Sequence, residues 1–282
     1  MTDAMTDILR AALLGALQGA TEFLPVSSSG HLIIVPELLG WPPPSLAFHV
    51  ASHLATMLAV VAYFRRDWLR MAQGAIKGLA AGAPWRHPDG MLLTMLVVAS
   101  IPAAAAGLLL QEPMERALVE TSRSAARGAA AMLLVTSALL WTSDRAATRR
   151  ASALDGAVTW RQAAAVGLAQ ACAILPGISR SGATIAAGLL TGLSRSDATR
   201  FSFLLGTPIV FGASLIELAA LVAEPPARGA IAPLAAGMLA AGIVGYGAIA
   251  WLLAYVRSRS LRPFVLYTAL AGLAALGLLA RP

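Results

Sequence analysis

Read for polarity alone, the chain alternates long apolar runs with short polar connections. Leu46–Phe64, Met91–Leu110, Gly128–Thr142 and Phe201–Ala223 are plain apolar stretches, and Ala230–Tyr255 and Phe264–Ala280 add two more. Each is about 15 to 26 residues, a range that tilting and helix packing fit to roughly 30 Å of hydrocarbon. Six transmembrane helices are predicted. Glycine and alanine crowd them, as in Ala103-Ala104-Ala105-Ala106-Gly107. Small residues let helix backbones approach closely in lipid, so a compact bundle is expected.

Two further segments, Ile8–Ile34 and Gln162–Leu193, are apolar at both ends but broken in the middle by Pro, Gly and hydroxyl clusters. Backbone broken at membrane depth survives only where protein or a water-filled cavity satisfies it. Both segments are therefore predicted to be re-entrant helical hairpins. They also look like copies of each other. Gln18 precedes Gly30 by 12 residues and Gln170 precedes Gly182 by 12, at an offset of 152, and Phe48 and Phe201 follow at nearly the same offset. Three spans separate the copies, so the hairpins should enter from opposite faces. That is an inverted-topology repeat, with its shared site near the midplane. The predicted fold is an all-α integral membrane protein forming a single domain over 1–282. Repeat one covers about 1–142 and repeat two about 160–282, linked by a cytoplasmic loop 143–159.

Composition agrees with lipid as the solvent. Of 282 residues, 58% are hydrophobic and 12% charged, and the mean hydropathy is +0.72. Soluble domains carry about 25% charged residues. The net charge of +7 does not indicate nucleic acid, because the basic residues sit in short loops between apolar runs. Segments 65–89, 143–161, 194–200 and 256–263 hold 14 Lys and Arg, against 4 in segments 111–127 and 224–228. The positive-inside rule makes the first set cytoplasmic. The acidic start, Met1 to Arg10, does not read as a removable signal peptide. The lone Cys172 cannot form an internal disulfide.

Few polar residues are buried by this topology, and they concentrate at the two breaks: Gln18, Glu22, Ser27, Ser28, Ser29, His31, Ser179, Arg180, Ser181 and Thr184. An ionisable group at membrane depth is costly and by default functional. A carboxylate, an imidazole and a guanidinium together resemble a phosphoryl-transfer set. The alternative is a Glu22–Arg180 pair that merely locks the hairpins together. The stretch from Pro176 to Thr184 carries the most information. Gly177 permits tight backbone, while Ser179, Ser181, Thr184 and free amides offer donors. The helix beginning near Gly182 aims its positive end inward, and Arg180 is a planar fork for phosphate oxygens. Gln18 and Glu22, four apart, share a helix face, where Glu22 is suited to hold a divalent cation or handle a proton. His31 after Ser27-Ser28-Ser29-Gly30 suggests a Ser–His couple. His49 and His53 have the spacing of a metal pair but no third ligand close in sequence, and they are assigned a supporting place around the site.

At these residues the chain resembles the undecaprenyl-diphosphatase family, also called bacitracin-resistance protein. The carrying motifs are Gln18-Gly19-Ala20-Thr21-Glu22-Phe23-Leu24-Pro25-Val26-Ser27-Ser28-Ser29-Gly30-His31 and Pro176-Gly177-Ile178-Ser179-Arg180-Ser181-Gly182-Ala183-Thr184. The resemblance covers essentially the whole chain. It implies removal of the terminal phosphate of undecaprenyl diphosphate, which recycles the carrier lipid for cell-wall synthesis and confers bacitracin resistance. It also implies a divalent cation (Mg2+ or Ca2+), a bacterial inner-membrane location and a site open to the periplasmic side. The family opens its first motif with Glu or Gln, and here Gln18 leaves Glu22 as the only carboxylate. The region around His49 is often acidic in relatives, so His49 is a local departure. Type 2 phosphatidate phosphatases share a Ser-Gly-His element but need a His where this chain has Ala186.

Within that expectation Arg180 clamps the diphosphate, with Gly177, Ser179, Ser181, Thr184, Ser27, Ser29 and Gln18 around it. Glu22 is a cation ligand or proton relay, Ser28 the nucleophile with Ser27 the second candidate, and His31 its base, with direct attack by a water that His31 or Glu22 activates left open. The substrate partner is a polyprenyl diphosphate among membrane lipids. The sequence leaves homodimer formation open. The competing function is a polyprenyl-phosphate flippase using the same inverted-repeat anion site.

Overall fold

A computed structural model describes residues 2–119, 122–149, 158–223 and 225–280, without side-chain detail at residues 2–3, 111–119, 122, 148–149 and 216–223. The described residues are helical, with no strand. The helices in chain order are α1 (Thr2–Phe23), α2 (Ser28–Leu39), α3 (Leu46–Tyr63), α4 (Arg65–Ala80), α5 (Pro88–Val119), α6 (Ser122–Arg149), α7 (Trp160–Cys172), α8 (Arg180–Leu190), α9 (Arg195–Ala223), α10 (Ile231–Tyr255) and α11 (Arg262–Leu279).

Six of them, α3, α5, α6, α9, α10 and α11, are long and apolar enough to cross a membrane. Their outward faces stay apolar: Leu108 is 76% exposed and Ile243 72% exposed, positions that only hydrocarbon makes comfortable. Several connections are shorter than the sequence suggests. α5 runs through the start of segment 111–127, α6 through the start of 143–159 up to Arg149, and α9 takes in 195–200. Hydropathy misses these ends because polar residues extend a helix past the apolar core without breaking its hydrogen bonds. Residues 150–157 of the inter-repeat link lie outside the described residues. Segment 65–89 is likewise mostly α4, which buries Met71, Gly74 and Gly78 and leaves Leu69, Ile76 and Leu79 exposed. An apolar stripe beside Arg66, Arg70 and Lys77 suits the membrane–water boundary.

The two broken segments are helix pairs. In the first, α1 ends at Phe23 and α2 starts at Ser28, with Ser27 as its N-cap. In the second, a Thr159–Gln162 capping box starts α7, and Ser179 caps α8. α2, α7 and α8 have 12, 13 and 11 residues, well short of the roughly 20 that a span needs.

Packing brings the breaks together. α1 lies along α10, α7 along α5, α3 against α9 and α10, and α6 against α8 and α11. Close backbone approach sets the α1–α10 contact: a β-carbon on Gly19 would fall 2.4 Å from the Ala241 carbonyl oxygen. A large apolar cluster that includes Phe23, Leu96, Leu140, Ile185, Phe203 and Leu204 packs beside the first break. There Phe23 meets Phe203 edge to face, with ring centres 5.4 Å apart.

Candidate active site

The helix breaks twice, between α1 and α2 and between α7 and α8, and the local bonding shows how. At the first break the Val26 amide donates to the Leu24 carbonyl at 2.7 Å. Ser27 follows at φ 74°, the only described non-glycine residue in the left-handed half of the map. Its hydroxyl accepts from the Gly30 amide at 3.2 Å. At the second break Gly177 takes φ 95°, and a β-carbon there would lie 2.2 Å from the Ala129 carbonyl oxygen of α6. Thr136 of α6 pins this turn on both sides. Its hydroxyl donates to the Gly177 carbonyl at 3.1 Å and accepts from the Ser179 amide at 3.0 Å.

The breaks are stitched to each other. The Gly177 amide donates to the Ser29 hydroxyl at 3.3 Å, and the Ser181 hydroxyl donates to the Leu24 carbonyl at 3.1 Å. Between them the Arg180 Nη2 donates to Glu22 Oε1 at 3.0 Å. Glu22 is 8% exposed, and its other oxygen accepts from Gln18 Nε2 at 3.0 Å and from the Ser28 hydroxyl at 2.7 Å. One carboxylate thus gathers residues from α1, α2 and α8.

Beside it opens a cavity of about 160 Å³ lined by Thr21, Glu22, Ser27, Ser28, Ser29, His53, Ala173, Ile178, Ser179, Arg180 and Val210. The N-termini of α2 and α8 adjoin it, so two positive helix ends and a guanidinium face one pocket. Helix N-termini and a guanidinium suit an anion, and the Glu22 carboxylate lines the same cavity. Ser28 sits at the first helical position of α2, with its hydroxyl on a carboxylate that can take its proton.

Of the residues singled out in the sequence, Glu22, Ser27, Ser28, Ser29, His53, Ser179 and Arg180 line this cavity, while Gln18, His31, Gly177, Ser181, Thr184 and His49 do not. Gln18 touches the site through Glu22. Gly177 and Ser181 hold the two breaks together. Thr184 is turned away: its hydroxyl donates to the Arg180 carbonyl at 2.7 Å and pairs with Ser202 at 2.6 Å, so it braces α8 on α9 instead of facing phosphate. The Ser28–His31 couple is not formed. His31 Nδ1 lies 2.7 Å from the Ser27 carbonyl and Nε2 lies 2.8 Å from the Tyr267 hydroxyl, and the side-chain partner of Ser28 is Glu22 instead. His49 stacks on His53 with ring centres 6.4 Å apart, and no group of three metal-ligating side chains occurs among the described residues.

Sequence reading missed Thr136, Tyr267 and Gly206, which support the site from α6, α11 and α9. Thr136 and Tyr267 lie inside apolar spans, where a lone hydroxyl gives no signal of its target.

A sequence profile for the bacitracin resistance protein BacA matches residues 11–274. A protein of Trichlorobacter lovleyi named undecaprenyl-diphosphatase is 46% identical over 274 residues, 97% of each chain. One of the same name from Geobacter sulfurreducens is 43% identical over 273 residues, 97% of this chain and 98% of its own. Another from Thermomicrobium roseum is 40% identical over 281 residues, 96% of this chain and 97% of its own. With a matching profile over nearly its whole length and relatives of this similarity, the chain belongs to the bacitracin resistance protein BacA family.

Proposed function

We propose that this chain hydrolyses undecaprenyl diphosphate to undecaprenyl phosphate and inorganic phosphate, recycling a carrier lipid for cell-wall synthesis. The observation that carries the reading is the line Ser28–Glu22–Arg180, which joins a hydroxyl, a base and a phosphate clamp across two chain breaks. The names of the relatives supply the substrate.

The terminal phosphate enters between the α2 and α8 N-termini, and Arg180 turns to its oxygens, stabilising the charge of the transition state. Ser28 Oγ attacks the terminal phosphorus, its proton passes to Glu22, and the bond to the bridging oxygen breaks, releasing the lipid monophosphate. Water then attacks the phosphoserine, and Ser28 recovers its proton as inorganic phosphate leaves. Glu22 and the Gln18 Oε1, a buried oxygen without a partner, are the groups that would hold a divalent cation here. When bound it neutralises diphosphate charge.

The two hairpins are re-entrant, and the cavity opens to the outer face of a bacterial cytoplasmic membrane. A pair of close helix contacts supports the inverted repeat. Gly15 of α1 and Gly167 of α7, 152 positions apart, both press on carbonyl oxygens, of Gly237 in α10 and Ala99 in α5. The unequal distribution of Lys and Arg supports the orientation.

The test is phosphate release from a polyprenyl diphosphate by the detergent-solubilised protein. Turnover that Arg180→Ala abolishes is expected. Binding of the lipid without phosphate release would favour the flippase reading, and unchanged turnover in Arg180→Ala would remove this site from the reaction.

A further inference from the structure

We infer that Tyr267 is a positioning residue for phosphoryl transfer, acting through His31 on the Ser27 turn. The inference rests on the cavity being a phosphoryl-transfer site.

Ser27 combines φ 74° with ψ 101°, a conformation that a residue with a β-carbon holds only when its surroundings impose it. It immediately precedes Ser28, so the same turn aims the Ser28 hydroxyl at Glu22. The Ser27 carbonyl accepts from His31 Nδ1 at 2.7 Å and from the His31 amide at 3.3 Å. A carbonyl can only accept, so Nδ1 carries the hydrogen. In the neutral ring Nε2 is then an acceptor, and the Tyr267 hydroxyl, 2.8 Å away, donates to it. The two rings are also nearly parallel, at 10° with centres 5.6 Å apart.

Tyr267 belongs to α11, 236 positions from His31. It is 46% exposed on a membrane-spanning helix, yet its hydroxyl is spent inward on a histidine outside the cavity wall. The string Tyr267–His31–Ser27 thus selects the histidine tautomer that restrains the strained turn. Without the hydroxyl, Nε2 is free to take the hydrogen, Nδ1 then repels the Ser27 carbonyl, and the aim of Ser28 loosens. Because the string ends on the turn that aims Ser28 and not on the phosphate clamp, kcat should suffer and KM should not.

The experiment is a double-mutant cycle on the full chain in detergent, with Tyr267→Phe, His31→Gln and the pair, reading phosphate release and melting temperature. Tyr267→Phe is expected to lower kcat about tenfold with KM changed less than about twofold, and melting within a few degrees of wild type. In the His31→Gln background the tyrosine change is expected to add nothing. An unchanged kcat in Tyr267→Phe, the same loss in both backgrounds, or a fall in melting that accounts for the loss would each overturn the inference. A wild-type protein that releases no phosphate would overturn the underlying functional reading first, which separates the two failures.

Discussion

The Arg180 guanidinium occupies the space that any side chain at position 206 would need: a β-carbon built on Gly206 falls 1.6 Å from Arg180 Nη1. The arginine lies across the bare backbone of α9, with Nη2 reaching Glu22. Gly206→Ala is therefore expected to push the guanidinium off its mark and cut phosphate release by about 100-fold, the cost of a displacement near 1 Å at a catalytic group. Gly247→Ala on α10, with nothing within 4 Å of its added carbon, should leave the rate unchanged. Steady-state assays of both variants decide the point.

Glu22 holds the Ser28 hydroxyl at 2.7 Å, so Glu22→Gln keeps the shape and removes the base. We expect kcat to fall by about 10³. Ser28→Ala should abolish turnover and any acid-stable phosphoprotein seen on rapid quenching. More than about a tenth of the wild-type rate in Ser28→Ala would instead indicate direct attack by water.

Thr184 is fully buried and bonded to Ser202 and to the α8 backbone. Thr184→Ala is expected to lower stability by about 1–2 kcal/mol by stranding the Ser202 hydroxyl, while kcat stays within about threefold of wild type. A loss of turnover without a loss of melting temperature would return Thr184 to the reaction.

Asp144 of α6 does not line the cavity and is buried beside the starts of α9 and α11. Arg195 at the start of α9 donates its Nε to Asp144 at 2.7 Å, and the Leu261 amide ahead of α11 donates to the same oxygen at 3.2 Å. Asp144→Ala removes the carboxylate that Arg195 and the Leu261 amide share, and about 3 kcal/mol should be lost. Thermal unfolding in detergent should show it, with kcat per folded molecule unaltered.

Much of the site was legible because its residues violate the rule of their surroundings. Glu22, Arg180 and the serine clusters are polar groups in apolar runs, and Pro25, Pro176 and Gly177 interrupt helices where a membrane tolerates no interruption. The Glu22–Arg180 contact followed from matching the two breaks. What each hydroxyl bonds was not legible. Ser28 and His31 are three apart, the spacing of neighbours on one helix face. Yet Ser28 at the first position of α2 points back to α1, and His31 points to α11. Thr184 lies one turn after Arg180 and rotates toward α9.

The sequence alone determined a helical membrane protein with six spans, two breaks and a family signature, because hydropathy, helix breaking and motif spacing are properties of neighbouring residues. Only the tertiary structure decided that Glu22 stands beside Ser28, that Gly206 makes room for Arg180 and that Thr136 and Tyr267 brace the turns. Those relations depend on which face of a helix meets which partner, from 6 positions away for Glu22 and Ser28 to 236 for His31 and Tyr267. A rotation of one helix by a single residue step, about 100°, changes every such pairing and leaves the hydropathy pattern untouched.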